Sequence, residues 1–486
     1  MIASCSGVGS GVSHNKPKAQ TDNFMPRIGI AYSPGTSGRT SFRAGFGINY
    51  DVLFDNLGLL SLPPQLSTTQ DVTGDLDIRN FLASGGLPAS GPSSGLSPAD
   101  ARSLTAGYIP PVHRPKSYQW NFGIQHEFGS NYLFETRYVG TRGTDLDVQA
   151  QLNRWPVVTP ANALPVFWSM PSQAVLNSLP NTLAALTTAY KNGGNTIPTY
   201  LNAGFDSIIT AYMPWGNSVY HGWANQLSRR FNNGLQFIGS YTWSHAIDDS
   251  TADVFSTLTT PRRAQNSQDF RADRSSSALD HRNRFTFELI YDVPFFKNGN
   301  WFMKNVLGNW EIAPIYTYQS GTYYTVLSGT DSNLNGDSAP DRAIVNPNGG
   351  NPGIGSGTTG LTNSAGDTVA FLVDNPNAKY VATPKGALAT VGRNTGQLRP
   401  INDIDVSAAK RFNFTERVAM EFSVRAFNVF NHPQYTGGYL NDVAPNGATS
   451  GDQKNFLNPS TAIFADPTQA FSSNPRNLIL ALKVTF

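Results

Sequence analysis

Arg476-Asn477-Leu478-Ile479-Leu480-Ala481-Leu482-Lys483-Val484-Thr485-Phe486, the last stretch of the chain, decides the fold. Counting back in twos from Phe486 gives Val484, Leu482, Leu480 and Leu478. The other parity gives Thr485, Lys483, Ala481, Ile479 and Asn477. Side chains alternate faces along a strand, so one face is wholly apolar and the other mostly small or polar. The protein ends on the apolar face with an aromatic. That predicts a strand covered by lipid, closing a transmembrane barrel, where a soluble edge strand would pass into something that covers it.

The same alternation recurs upstream. In Arg39–Val52, Phe42, Ala44, Phe46, Ile48, Tyr50 and Val52 share one face, while Arg43, Gly45, Gly47, Asn49 and Asp51 share the other. Ser117–Phe128 sets Tyr118, Trp120, Phe122, Ile124 and Phe128 against Gln119, Asn121, Gly123, Gln125 and Glu127. Arg282–Val293 sets Phe285, Phe287, Leu289, Tyr291 and Val293 against Arg284, Thr286, Glu288 and Asp292. Arg27–Ser33, Tyr132–Gly143, Ser218–Phe231, Leu235–Ala246, Leu307–Gln319, Ile401–Phe412 and Glu416–Phe430 complete a set of eleven strands. Asn232-Asn233-Gly234 is a strong hairpin signal between two of them.

The connections alternate short and long throughout. Long ones cover roughly 53–116, 145–217, 247–281, 320–400 and 431–475. Outer-membrane barrels have short periplasmic turns and long extracellular loops, and a soluble sandwich has no reason to put every long loop at one end. The expected fold is therefore all-β: an antiparallel transmembrane β-barrel portion of about 11 strands, with Tyr and Trp near strand ends as interfacial girdles. Because bacterial single-chain barrels have even strand numbers, an odd count beginning at the extracellular end predicts an incomplete barrel. Residues 1–25 then read as the remnant of an extracellular loop, or as disordered, ahead of the barrel part at 26–486.

Composition agrees. Charged residues make up 14% and aromatics 12% of the 486 residues, with 19 Tyr, 29 Phe and 8 Trp, which suits a β-protein whose exterior need not face water. The net charge of +2, from 35 basic and 33 acidic residues, gives no basic field for nucleic acid. No apolar run approaches the roughly 18 residues of a spanning helix, which leaves a barrel open. The lone Cys5 permits neither an internal disulfide nor a thiolate cage. Ile2-Ala3-Ser4-Cys5 has the look of a lipoprotein box, but it lacks the apolar run of about 7–15 residues that must precede one, and it reads as loop.

Few motifs carry chemistry. Gly91-Pro92-Ser93-Ser94-Gly95 fits the nucleophile-elbow pattern, but it sits in a Ser/Gly/Pro loop where that motif needs a strand and a helix. Ser97-Pro98-Ala99-Asp100 beyond it reads as the cap of a short loop helix. Gly355-Ser356-Gly357-Thr358-Thr359-Gly360 fits G-x-G-x-x-G but reads as flexible loop, with no strand or helix expected around it. His245 near Asp248 and Asp249 has no identifiable nucleophile and reads as a strand-end hydrogen-bond cluster; no constellation supports an enzyme. In Asp331-Ser332-Asn333-Leu334-Asn335-Gly336-Asp337, oxygen ligands at positions 1, 3, 5 and 7 with Gly at 6 form the first half of a calcium loop. Arg342 stands where the bidentate Glu would be, with Asp341 adjacent. Asp331, Asn333, Asn335, Asp337 and Asp341 are thus the metal-site residues to test, against the reading of an Asn/Asp/Gly-rich turn.

Tyr220-His221-Gly222, Gly239-Ser240-Tyr241-Thr242-Trp243-Ser244-His245-Ala246-Ile247-Asp248-Asp249 and Phe427-Asn428-Val429-Phe430-Asn431-His432-Pro433 resemble the C-terminal barrel of TonB-dependent outer-membrane receptors. The subgroup they resemble most is the Oar-like one, which carries an N-terminal carboxypeptidase-regulatory-like domain. The resemblance covers most of 26–486. It implies a barrel of about 22 strands, an internal plug and TonB-driven import of an organic nutrient into a Gram-negative cell. Plug and TonB box are not in this sequence, so contact with TonB is expected only through another part of the protein. The partners implied are outer-membrane lipid, the nutrient and the barrel-assembly machinery, which in that family reads a C-terminal aromatic strand; here that would be Phe486 with Val484 and Leu482. The alternative is a non-transporting surface protein whose barrel anchors adhesive or structural loops.

Overall fold

The computed structural model describes residues 21–51, 107–108, 113–251, 263–296, 299–337, 339, 341–415, 417–435, 455–470 and 474–486. Eleven long strands follow one another in sequence and in space: β1 (Arg27–Tyr32), β2 (Thr40–Tyr50), β3 (Lys116–Phe128), β4 (Tyr132–Gln151), β5 (Thr210–Asn232), β6 (Leu235–Asp248), β7 (Asn283–Asp292), β8 (Trp310–Gln319), β9 (Ile401–Asn413), β10 (Ala419–Phe427) and β11 (Asn477–Thr485). Every neighbouring pair on this path is antiparallel. Among the described residues β1 pairs only with β2 and β11 only with β10, so the sheet is open and incomplete as a barrel.

Register shows why the alternation holds across the sheet. Phe46 lies opposite Trp120, Trp120 opposite Gly140, and Gly140 opposite His221. Met420, Phe422 and Val424 lie opposite Val484, Leu482 and Leu480. Cross-strand partners share a face, so the apolar parity of each strand meets the apolar parity of the next. Phe46 and Phe122 are exposed, Phe42, Trp120, Phe285 and Phe287 are partly exposed, and none of them is part of a closed core. A sheet in hydrocarbon satisfies its backbone by strand pairing and leaves this face to lipid.

The short turns are built by local chemistry. Between β5 and β6 only Asn233 and Gly234 intervene, at φ 51° and 78°; both central residues at positive φ is the turn whose twist matches a hairpin. Between β7 and β8, Met303–Leu307 form a π-helical turn, so β8 begins at Trp310, later than the expected Leu307. β10 spans only Ala419–Phe427, shorter than the expected Glu416–Phe430, because Asn428 leaves the ladder at φ 49°.

The long connections differ most from expectation. β4 and β5 extend to Gln151 and from Thr210, past the expected ends at Gly143 and Ser218. Twenty residues of β4 span about 65 Å at roughly 3.3 Å each, far beyond an apolar band of about 25 Å. Their upper halves carry buried Val148, Ala150, Ala211 and Tyr212 into a compact cap made by the long loops. One cap cluster unites Tyr324, Val326, Tyr380, Phe456 and Phe464; another unites Val158, Leu164, Leu186 and Phe371. All the fully buried apolar residues described lie in this cap, because the sheet below it uses lipid as its apolar partner. Short helices decorate it, among them Gln173–Ser178 capped by Ser172 and Leu183–Lys191 capped by Thr182. The stretch expected as loop at Gly355–Gly360 falls in two strands, Asn351–Ser356 and Thr358–Thr362. There Gly355 faces Tyr380 in parallel register, and the Pro459 backbone would lie 2.2 Å from any Cβ, so glycine serves close approach of chains. Gly91–Gly95, Ser97–Asp100 and Cys5 lie outside the described residues.

Candidate functional site

Where the cap meets the sheet, the β6–β7 and β8–β9 connections converge through buried charge. Arg393 donates from Nη2 to the backbone carbonyl of Asp248 at 2.7 Å and to its carboxylate, and from Nε to the carbonyl of Asp273 at 2.8 Å. Arg342 Nη2 pairs with Asp273 at 2.9 Å, and its Nε donates to Gln265 Oε1 at 2.7 Å. Arg263 pairs with Asp337 at 2.7 Å, both side chains nearly covered. Arg263, Gln265, Asp273, Asp341, Arg342 and Arg393 line a cavity of about 20 Å³. Burial raises the Asp273 carboxyl above the usual range, with Arg342 and Arg393 drawing it back. Charges taken out of water hold only when paired, and each buried Asp here has its arginine or a set of donors.

The residues picked for calcium come together in one loop. Asp331 accepts from the backbone N–H of Asn335 at 3.1 Å and of Gly336 at 2.9 Å, with Gly336 at φ 84°. Asn333 Oδ1 accepts from Asn335 N at 2.9 Å, and Asn335 Oδ1 from Asp337 N at 2.7 Å. Asp341 is buried and accepts from the Ser332 hydroxyl, the Asn333 backbone and the Asn333 side-chain amide at 2.7–3.0 Å. Burial, helped by the nearby Asp331 carboxylate, pushes Asp341 up to about 7. Among the described residues, no three or more His, Cys, Asp or Glu side chains are grouped to hold a metal.

His245 hydrogen-bonds to neither Asp248 nor Asp249. Its Nε2 lies 3.2 Å from the Ser276 hydroxyl, while Asp248 is taken by Arg393 and Asp249 by Arg274 at 3.0 Å. The residues that sequence reasoning missed are the arginines of the cap. Arg393 and Asp248 are 145 positions apart, and no local pattern links them.

The residues expected to form an assembly signal sit on β11, the last strand of the described sheet. Leu482 and Val484 are 63% and 53% exposed, and Phe486 is 97% exposed. Aromatic rings follow one another near the short turns: Phe128 on Tyr132 at 5.5 Å, Tyr132 on Phe237 at 6.4 Å, Phe237 on Phe287 at 6.1 Å. Such a row suits the headgroup level.

Among solved structures the chain is similar to the outer-membrane transporter YddB from Escherichia coli, with 8% identity, a TM-score of 0.38, and 93% of this chain covering 39% of that one. It is similar to a variant of the ferric enterobactin receptor PfeA from Pseudomonas aeruginosa, with 10% identity, a TM-score of 0.41 and coverage of 95% and 40%. The siderophore receptor PiuA from Acinetobacter baumannii gives 10%, 0.38, and coverage of 94% and 35%. The chain thus spans about two fifths of these proteins' length. No curated protein matches it in sequence. The family described as "Outer membrane beta barrel domain" matches residues 3–478. With eleven antiparallel strands, an exposed apolar face and ordered loops at one end, the chain belongs to that outer-membrane barrel family, and its place is the Gram-negative outer membrane.

Proposed function

We propose that this chain is the C-terminal barrel half of a TonB-dependent receptor of the Oar-like subgroup, which binds and imports an organic nutrient. The observation that carries this reading is the cap. A mere anchor needs loops long enough to reach a partner; here the loops share buried cores and are fastened to the strand ends by Arg393, Asp248 and Asp273. A fixed polar cap above a sheet face lined by Arg43, Arg137, Glu288, Asp403 and Asp405 suits reception of a ligand on its way inward. TonB would act through another part of the protein. Deleting the gene should abolish accumulation of one organic nutrient in a panel, and deleting TonB should do the same. Normal uptake of the whole panel, with loss of surface attachment instead, would favour the anchoring role.

We propose as well that Asp331, Asn333, Asn335 and Asp341 hold a structural calcium ion in the cap. Asp331 is oriented by the N–H groups of Asn335 and Gly336, as the first ligand of such a loop is, and position 7 supplies a backbone carbonyl, which leaves the Asp337 carboxylate to Arg263. Chelation should then make the cap sensitive to protease, and Asp331→Ala should remove the calcium response. Identical digestion with and without calcium would refute it. In the same spirit we read Phe486, Val484 and Leu482 as the signal recognised by the barrel-assembly machinery.

A further inference from the structure

Charge on the lipid-facing parity of the described strands is one-sided. Tracing register from β1 to β11, that face carries Lys116, Arg142, Arg229 and Lys410, and no carboxylate. The acidic residues of the strands, among them Glu135, Glu288, Glu311, Asp403 and Glu421, fall on the other face. The four cations also avoid the middle of the band. Arg229 and Lys410 lie near the short turns; Lys116 begins β3 at its long-loop end, and Arg142 lies beside it midway along β4, opposite Tyr118.

The two pairs differ in how the protein treats them. Arg229 Nη1 donates to the Leu235 carbonyl at 2.7 Å, with its guanidinium 5.7 Å from the Tyr132 ring. Lys410 donates to the Gly308 carbonyl between the rings of Trp310 and Phe412. Both periplasmic cations therefore find backbone acceptors. At the outer rim, the partners of the Lys116 ammonium among the described residues are two tyrosines, the Tyr50 ring at 5.3 Å and the Tyr118 ring at 5.8 Å, and Arg142 is exposed. Asp145 at the same rim accepts from Thr144, and among the described residues no carboxylate pairs with Lys116 or Arg142. Lys116 lies opposite Thr144 and Tyr118 opposite Arg142, so the two cations are diagonal neighbours, about 7–8 Å apart at the backbone. That spacing lets two long side chains converge on one anion.

We propose that Lys116 and Arg142, flanked by Tyr50 and Tyr118, bind the phosphate of a lipid headgroup in the outer leaflet. The aromatic rings sit at headgroup depth, and the cations supply the counter-charge to a phosphomonoester. This is independent of which nutrient, if any, the receptor carries. The full chain, folded in detergent, would be titrated with bis-phosphorylated lipid A and with the same lipid after phosphatase treatment. Lys116→Gln combined with Arg142→Gln should weaken binding of the phosphorylated lipid by about thirtyfold, at roughly 1 kcal/mol per basic residue. Arg229→Gln with Lys410→Gln should leave it unchanged. Circular dichroism on each variant establishes that the strands remain folded. Equal affinity of parent and outer-rim variant, or equal binding of the dephosphorylated lipid, would overturn the proposal.

Discussion

Arg393 fastens the cap to the end of β6 from within the buried cluster. It reaches Asp248 at the top of β6 and Asp273 in the following connection, and it is itself carried by the β8–β9 connection. Arg393→Ala would strand a buried carboxylate, a change that costs about 3–5 kcal/mol where one partner of a buried pair is removed. We expect the cap of that variant to be cut by protease under conditions where the parent is intact, while the strands stay protected; equal resistance would show that the hydrophobic clusters alone hold the cap. Gly140 tests the sheet in the same way. A Cβ there would lie 2.2 Å from the Trp120 ring, so Gly140→Ala must displace the indole. The expected result is a shift in Trp emission with little loss of strand content, because the ladder hydrogen bonds come from the backbone.

At the scale of elements, β11 carries the sharpest claim. Among the described residues its apolar row Leu478, Leu480, Leu482 and Val484 lies against β10 on one side, and Phe486 projects beyond the ladder. In the full-length parent, Phe486→Asp should lower the amount of protein assembled in the membrane by several-fold, more than the same change at Tyr132 or Leu235 beside other short turns. Equal, mild losses at all three would make Phe486 one interfacial anchor among many. The strands were legible because a two-residue period with lipid on one face leaves its mark in every residue, from Phe42 to Val484. The cap was not. Its strands at Asn351–Ser356 and Thr358–Thr362 are short and Gly-rich, and they are stabilised by partners such as Tyr380 and Pro459 that lie far along the chain. The loop at 331–337 was legible as a turn of oxygen donors because Gly336 and the Asn/Asp spacing act within seven residues. Its pairing with Arg263 depends on a contact across 74 positions.

For the whole molecule, the decisive point is which medium each face of the sheet meets. The even positions of β10, Met420, Phe422 and Val424, align with the apolar row of β11, while Glu421, Ser423 and Arg425 align with Lys483, Ala481 and Ile479. Faces of opposite character at one-residue spacing require two solvents, lipid and water. The most direct measurement places a nitroxide at each position from 420 to 425 in turn, in a chain with Cys5→Ser inserted in a bilayer. Collision with oxygen, which concentrates in lipid, is then compared with collision with a water-soluble nickel chelate. A lipid-facing barrel sheet predicts high oxygen collision at 420, 422 and 424 and high nickel collision at 421, 423 and 425. Equal accessibility at both parities, or the reverse pattern, would contradict it.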